Sequence, residues 1–177
     1  MIKSQVLKLQ QLEFIDNSFV SCDATQIFAN TKQNNSKSFT INKFKKDNHP
    51  KSDLDCKLGI YTSSNSHNEK KYKFYWGYKN IILTDVISGI PIAEITTTTE
   101  IAESSMVIDF LKKVNPWFSL NETYFIGDKA YDTKYIHNFI RYDLDGHAFI
   151  PLSPCSSKEK KMLSDSNAIS KARYAQG

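Results

Sequence analysis

Two aspartates in this sequence stand where a β-strand could present a carboxylate to a ligand. Asp128 follows a short apolar run at residues 123–126, within the stretch FIGDKAYDT, and Asp23 lies inside the alternating stretch FVSCDATQIF. Ligands of open α/β sheets gather at the carboxyl ends of strands, so neighbouring strands would bring the two carboxylates together. Paired carboxylate oxygens suit a hard cation such as Mg²⁺. Two such ions, roughly 3.5–4 Å apart, can stabilise the attacking and leaving oxygens of phosphoryl transfer.

Each of these acidic residues also has a structural interpretation. Asp23 lies in an otherwise apolar strand, and a buried carboxylate is costly unless it is paired or bound to a metal, so we interpret it as a ligand. Asp128 would by its position alone fit a plain turn. We interpret Asp132 as the N-cap of the next helix and Tyr131 as a packing residue.

The pattern around these residues predicts strands and helices in an order that fits a layered fold. A long strand and a long hairpin, with its turn at Ser88-Gly89, are followed by alternating helices and strands. The predicted fold class is therefore α/β, with a mixed sheet of three antiparallel strands and then βαβ units, and with helices packed on it. The predicted strands are 18–29, 71–86, 90–98, 123–126 and 147–152, and the predicted helices are 3–13, 103–114, 133–141 and one that starts near residue 156.

Composition bounds the class of protein further. The chain has 177 residues, 40% of them hydrophobic, which is the size and composition of one folded domain. No apolar run approaches the length of a membrane span. The three cysteines form no CxxC pair, so a zinc site is not predicted, and lone thiols suit the reducing cytoplasm.

Charge is unevenly placed along the chain. The net charge is +4, and residues 32–79 hold 11 Lys and 4 acidic residues, whereas residues 80–150 hold 10 acidic residues and 5 bases. A basic flank beside an acidic centre suits a polyanion held near a metal site. We interpret residues 30–70 as a polar, basic loop or insertion, and a solvated loop without a partner is the alternative.

Six lysines are candidates for contact with nucleic acid. Lys43, Lys45 and Lys46 lie in the polar insertion and could follow a phosphate backbone. Lys73 and Lys79 flank the aromatic run Tyr75, Trp76 and Tyr78, which could stack on bases, although alternation places part of that run in the core. Lys129 follows Asp128 and could contact a phosphate there. A solvated lysine is the alternative for each.

Four segments in order resemble the DDE-type transposases of prokaryotic insertion sequences, which have an RNase H-like fold. The segment VSCDATQIFAN resembles the family's first-Asp strand, and KFYWGYKNIILTDVISGIPIAEITTT resembles its GYK strand and hairpin. EIAESSMVIDFL resembles the helix that follows, and YFIGDKAYDT resembles the second-Asp motif. The chain departs from the pattern at Ile81, where relatives often carry His, and at Ala130, which replaces a Gly.

The resemblance implies a role for each matching residue. Asp23 and Asp128 would be the first two catalytic carboxylates and would ligate Mg²⁺, or Mn²⁺ in its place, with two ions in the active form. The implied partner is DNA, both transposon ends and target, and a homodimer is a candidate active complex. The implied location is the cytoplasm, at the nucleoid through DNA.

The family's third residue, a Glu on a later helix, has no match in this sequence. Glu159 and Asp165 are the only acidic residues after Asp145, and their surroundings differ from the family's Glu helix. We therefore expect residues 1–177 to be one catalytic domain that is incomplete at its C-terminal side. The alternative function is a degenerate, inactive remnant that at most binds DNA.

A second motif points to a different enzyme class. The run Asp143-Leu144-Asp145-Gly146 resembles the nucleophile motif of haloacid-dehalogenase-type phosphatases. That motif should follow a hydrophobic strand, whereas NFIRY here reads as the end of a helix. We interpret the run as a turn, and a phosphatase that uses Asp143 is the weaker alternative.

Overall fold

The computed structural model describes residues 2–64 and 70–152, which form a mixed sheet and the helices that pack on it. The chain begins with helix α1 (Ile2–Gln11). The strands are β1 (Phe19–Phe28), β2 (Lys57–Ser64), β3 (Lys70–Asp85), β4 (Pro91–Thr98), β5 (Tyr124–Gly127) and β6 (His147–Phe149). Helix α2 (Glu103–Val114) links β4 to β5. Between β5 and β6 lie a 3₁₀ turn (Lys129–Tyr131), helix α3 (Lys134–Asn138) and a π-helical turn (Phe139–Asp143).

The sheet has the mixed topology that the sequence predicts. Strand β3 pairs antiparallel with β1, β2 and β4, whereas β5 pairs parallel with β1 and β6 pairs parallel with β5. The central order is β4-β3-β1-β5-β6, and β2 extends the sheet along the first half of β3. This confirms the predicted α/β class, with antiparallel strands first and parallel crossover units after them.

Helices cover one face of this sheet among the described residues. The apolar stripe of α2 is buried against residues of the strands whose side chains alternate to that face. Every second residue of β1 points the other way, and there the side chains are partly or fully exposed. The buried residues of the helix face are Val20 and Cys22 of β1, Ile81 and Leu83 of β3, and Val107, Phe110, Leu111 and Val114 of α2.

The prediction of a loop or insertion over residues 30–70 is wrong for residues 57–64, which form β2. Residues 30–56 have no helix or strand, but they pack against β3 around a small second core of Ala29, Cys56 and Trp76. The indole Nε1 of Trp76 donates to the carbonyl of Lys43 at 2.7 Å, and the Tyr78 hydroxyl donates to Asp53 Oδ1 at 2.7 Å. We call residues 30–56 the insertion below.

Two predictions about the helix after β5 are wrong. Its N-cap is Thr133, whose hydroxyl accepts from the Ile136 N–H, whereas Asp132 pairs with His137 Nε2 at 3.1 Å. The α-helix also ends at Asn138, whereas the predicted range continues to residue 141. The interpretation of Tyr131 as packing is confirmed, because its side chain is fully buried.

Some predictions fall outside the described residues. These are the last helix, starting near residue 156, together with Cys155, Glu159 and Asp165. Within the described ranges, no helix is long and apolar enough to cross a membrane.

Candidate functional site

The parallel pairing of β1 and β5 brings Asp23 and Asp128 to neighbouring positions. The last paired residues are Cys22 and Gly127. Asp23 follows Cys22 within β1, and Asp128 follows Gly127 directly after the end of β5. Neighbouring strands lie about 4.8 Å apart. Since Ser21 is paired with Ile126, alternation also places both carboxylates on the same face of the sheet. This is the face opposite to the helices.

Both carboxylates are solvent-exposed, and one oxygen of each accepts a hydrogen bond from a backbone N–H. Asp23 Oδ1 accepts from the Ala24 N–H at 2.8 Å, and Asp128 Oδ1 accepts from the Ala130 N–H at 2.8 Å. Neither forms an ion pair with a base in the described part of the chain. The expectation that Asp23 is buried is wrong, because its strand shows its alternate residues to solvent. Exposure leaves the second oxygen of each aspartate available to a ligand.

Tyr131 and Gly127 set the position of the Asp128 turn. The Tyr131 N–H donates to the Asp128 carbonyl at 3.1 Å, which closes the 3₁₀ turn. The Tyr131 ring is buried in the main core, on the helix face of the sheet. A Cβ at residue 127 would lie 3.1 Å from the Tyr131 ring and 3.2 Å from the Phe125 ring. Glycine therefore lets the strand approach the tyrosine closely just before the carboxylate.

The thiol next to Asp23 belongs to the core rather than to the site. Cys22 is buried on the helix face, and this burial raises its pKa to about 12. Its side chain lies on the opposite face of the sheet from the two carboxylates, away from any ion that they would hold.

Two exposed carboxylates with free oxygens fit a hard divalent ion. Mg²⁺ is usually held by one or two carboxylates and completes its shell with water and substrate phosphate oxygens. Within residues 2–64 and 70–152, no group of three His, Cys, Asp or Glu side chains could hold a metal ion. The described residues thus fit an ion that Asp23 and Asp128 share with water or a phosphate.

The sequence patterns did not reveal a polar network that lies on the same face of the sheet as Asp23. Asp23 pairs with Ile82 of β3, and Ile82 pairs with Glu94 of β4, so Glu94 lies on the same face two strands away. The Asn80 side chain donates to Glu94 Oε2 at 3.0 Å and accepts from the Thr96 hydroxyl at 3.4 Å. The register of the β3–β4 hairpin is the signal that could have revealed it.

The six candidate lysines divide between the two faces of the sheet. Lys43, Lys45 and Lys46 belong to the insertion, which packs on Trp76 and therefore on the face that carries Asp23. Lys129 is exposed in the turn directly after Asp128.

The other two lysines alternate to the helix face. Lys79 is paired with Glu103 at 3.4 Å and donates to the Ile101 carbonyl at 3.4 Å. Lys73 is exposed and lies 5.9 Å from the centre of the Tyr61 ring. The structure does not bring Lys73 and Lys79 together with the two carboxylates. Of the aromatic run between them, Tyr75 and Trp76 are both buried, although alternation puts them on opposite faces of β3. The insertion covers the face that carries Trp76.

The Asp143–Gly146 run is a turn, as interpreted from the sequence. Asp143 ends the π-helical turn, Asp145 has a left-handed backbone with φ of 48°, and Gly146 leads into β6. No strand precedes Asp143 in the way that the phosphatase motif requires.

Comparison with known proteins identifies the family of this chain. The family model described as "Transposase DDE domain" matches residues 15–176. The chain therefore belongs to the transposase DDE domain family.

One solved structure and the curated proteins complete the comparison. The chain is similar, at 8% identity and a TM-score of 0.46, to a piggyBac transposase solved by cryo-EM in a synaptic complex with hairpin DNA. The alignment covers 94% of this chain and 31% of that one, so this chain spans about a third of that transposase. No curated protein matches the sequence.

Proposed function

We propose that this chain supplies the catalytic core of a transposase, which cleaves and joins DNA strands by phosphoryl transfer at Asp23 and Asp128. The single observation that carries the proposal is the parallel register of β1 and β5, which places the two exposed carboxylates side by side. Membership of the transposase DDE domain family supports DNA as the substrate.

In this proposal the two aspartates act as ligands of a divalent ion. Mg²⁺, or Mn²⁺ in its place, would supply Lewis-acid stabilisation of the phosphoryl oxygens, with two ions in the active form. Asp23 and Asp128 each keep one oxygen fixed by a backbone N–H, which orients the other toward the ion. Lys129, next to Asp128, would hold a phosphate of the scissile strand, and the lysines of the insertion would bind the flanking backbone.

The second candidate function is an inactive remnant that binds DNA without cutting it. One observation favours it: no third acidic or histidine ligand joins the pair within the described ranges. The two candidates make the same prediction for DNA binding and different predictions for chemistry. In both, a homodimer on DNA is a candidate form of the active or binding complex.

A strand-cleavage and strand-transfer assay with Mn²⁺ separates them. The full chain is incubated with labelled DNA that carries the ends of its own element, alongside Asp23→Asn and Asp128→Asn. We expect wild-type cleavage, with a loss of about 10²–10³-fold or more in each variant, because each removes charge at the reacting phosphate. Binding without any cleavage by the wild type would instead select the remnant.

A further inference from the structure

We propose that the outer part of the β2–β3 pair binds unpaired nucleotides by stacking, and so acts as a second DNA contact away from the carboxylates. The contact surface, called the aromatic patch here, consists of Phe44, Ile60, Tyr72 and Phe74. The proposal rests on the proposed function in that it takes DNA as the substrate. It deepens that function by naming single-stranded DNA as the form that this surface recognises.

Three residues of the aromatic patch are exposed, and the fourth, Phe44, is half-buried against the second core. Ile60 pairs with Phe74 across β2 and β3, and Tyr72 lies two residues further along the same face. Their exposed fractions are 56%, 43% and 66% for Ile60, Phe74 and Tyr72. Trp76, on the same face, is buried under the insertion. The apolar side chains of this face therefore continue past the buried core and into solvent.

Two rings of the patch lie close together and nearly parallel to each other. Phe44 of the insertion and Phe74 of β3 lie 6.3 Å apart between ring centres, with an angle of 26° between their planes. Every base has a π-face, so aromatic rings held at the surface bind single strands with little sequence preference. In a duplex, the faces of the bases are already stacked on one another. A patch of this kind therefore favours unpaired nucleotides.

The charge around the patch favours a nucleic acid over a second copy of this chain. Lys43 Nζ lies 5.3 Å from the centre of the Phe44 ring. The insertion carries six Lys and three Asp, and one of those aspartates, Asp53, accepts a hydrogen bond from Tyr78. A second copy would bring the same positive surface to the interface, whereas a phosphate backbone complements it.

The patch lies on the same face of the sheet as the carboxylate pair. Ile82 is beside Asp23, and Phe74 is eight residues before Ile82 on β3, so both side chains alternate to one face. At about 3.3 Å per residue the separation is about 26 Å. The insertion lies between them on that face, so a strand that leaves the carboxylates would pass its lysines before it reaches the patch.

The test is fluorescence anisotropy with the full chain and two probes, in EDTA so that binding does not depend on a metal ion. One probe is a labelled 12-mer of thymidine, and the other is a blunt 20-base-pair duplex of mixed sequence. The variant Tyr72→Leu/Phe74→Leu keeps apolar area but removes the rings. Its matched control is Tyr135→Leu/Tyr142→Leu, which removes two exposed rings at α3 and the π-helical turn.

We expect the patch variant to bind the single strand at least tenfold more weakly, with less than a twofold change for the duplex. The control variant should bind both probes like the wild type. Equal losses for both probes, or an unchanged affinity for the single strand, would overturn the proposal. A wild-type dimer in light scattering that becomes a monomer in the patch variant, with single-strand binding unchanged, would assign the patch to a second copy instead.

Two separate assays distinguish this inference from the proposed function. The anisotropy assay in EDTA reports on the patch, and the cleavage assay with Mn²⁺ reports on Asp23 and Asp128. If Asp23→Asn and Asp128→Asn leave cleavage and Mn²⁺ binding unchanged while the patch variant loses single-strand binding, the proposed function fails and the stacking surface stands.

Discussion

At the scale of the residue, the site depends on the close contact between Gly127 and Tyr131. The strand ends at a glycine that lies against the tyrosine ring, and the tyrosine N–H then closes the turn that carries Asp128. A Cβ at residue 127 would crowd the Tyr131 ring, so the turn that carries Asp128 would have to shift. Tyr131 therefore acts on Asp128 through the backbone, and not by contact with a ligand.

We predict that Gly127→Ala lowers stability and weakens Mn²⁺ binding together. The added Cβ would be 3.1 Å from the Tyr131 ring and 3.2 Å from the Phe125 ring, and both rings are fully buried. Such overpacking costs about 1–3 kcal/mol of unfolding free energy. Urea unfolding measures the first effect, and isothermal titration with MnCl₂ measures the second.

Gly89→Ala is the control for that variant. Gly89 has a φ of 71° in the β3–β4 turn and open space around it, so alanine strains the backbone by about 1–2 kcal/mol. Stability should fall by that amount while Mn²⁺ binding stays at the wild-type value. Equal Mn²⁺ binding in both variants would show that the Gly127–Tyr131 contact does not position the carboxylate.

Sequence patterns predict both aspartates, their strands and their shared face, but not the exposure of Asp23. Alternation in FVSCDATQIF separates two faces, and it gives no sign of which one the helices cover. That choice depends on α2 and on the hand of the crossover, which are properties of the assembled sheet. The polar pair of Asn80 and Glu94 was missed for a related reason, since only strand pairing brings it to the face that carries Asp23.

At the scale of the element, the insertion is fixed to the sheet by the side chain of Asn34. Its Nδ2 donates to the carbonyls of Ala29 and Trp76, each at 2.7 Å, and its Oδ1 accepts from the Trp76 N–H at 2.9 Å. These bonds satisfy backbone groups that lie beyond the end of the β1–β3 pairing. The Asn34 side chain thus makes hydrogen bonds to the backbone of Trp76 that a paired strand residue would otherwise make.

We predict that Asn34→Ala costs about 1–3 kcal/mol of unfolding free energy, because it leaves the N–H of the buried Trp76 without a partner. The Trp76 and Ala29 carbonyls keep the N–H donors of Ala29 and Thr31. Urea denaturation provides the measurement. Asn35→Ala is the matched control, since the Asn35 side chain is exposed and accepts only from the Lys37 N–H, and it should change stability by less than about 0.5 kcal/mol. Similar values for the two variants would refute the role of Asn34.

The Tyr78–Asp53 hydrogen bond gives the insertion a pH dependence. The bond raises the pKa of Tyr78 to about 12 and lowers the pKa of Asp53 below its usual value of 3.8. The Asp53 contribution to stability is present above pH 3.8 and is lost as the pH falls through its lower folded value. The Tyr78 contribution is present below about pH 10 and is lost as the pH rises toward 12.

We therefore predict that the stability difference between wild type and Tyr78→Phe is constant from about pH 5 to 9 and shrinks at both extremes. Urea unfolding at pH 3, 7 and 11 tests this, and the other titrating groups cancel because they are common to both proteins. A difference that stays the same at all three pH values would contradict the assignment.

The sequence predicts the long strands well and the insertion poorly, for physical reasons. The residues of β1 and β3 alternate strongly, and the α2 stripe repeats at helical spacing. The insertion has little apolar periodicity, and its order comes from single long-range contacts to Trp76 and Tyr78. The strand β2 was missed because it is stabilised mainly by pairing with the first half of β3.

At the scale of the whole molecule, the two faces of the sheet carry different groups of residues. One face carries the helices and the main core, and the other carries the carboxylate pair, the insertion and the aromatic patch. The lysines follow the same division. Lys79 is used in an ion pair on the helix face, while Lys45 and Lys46 are exposed in the insertion.

We predict that Lys45→Ala/Lys46→Ala weakens duplex DNA binding and lowers its salt dependence. The slope of log affinity against log salt should fall by roughly one for each phosphate contact that is lost. Lys112→Ala/Lys113→Ala on α2 is the matched control, because these lysines are exposed on a helix that packs on the opposite face. Anisotropy between 50 and 300 mM NaCl measures both, and an equal slope change in the two variants would contradict a one-sided DNA surface.

The central claim is that Asp23 and Asp128 share one divalent ion, and Mn²⁺ titration calorimetry tests it most directly. The wild type is compared with Asp23→Asn, Asp128→Asn and the exposed control Asp143→Asn. We predict that each of the first two variants loses binding by tenfold or more, that the double variant loses no more than either one, and that the control binds like the wild type. Binding that survives in either single variant, or that is lost in Asp143→Asn, would contradict a site shared by the two strands.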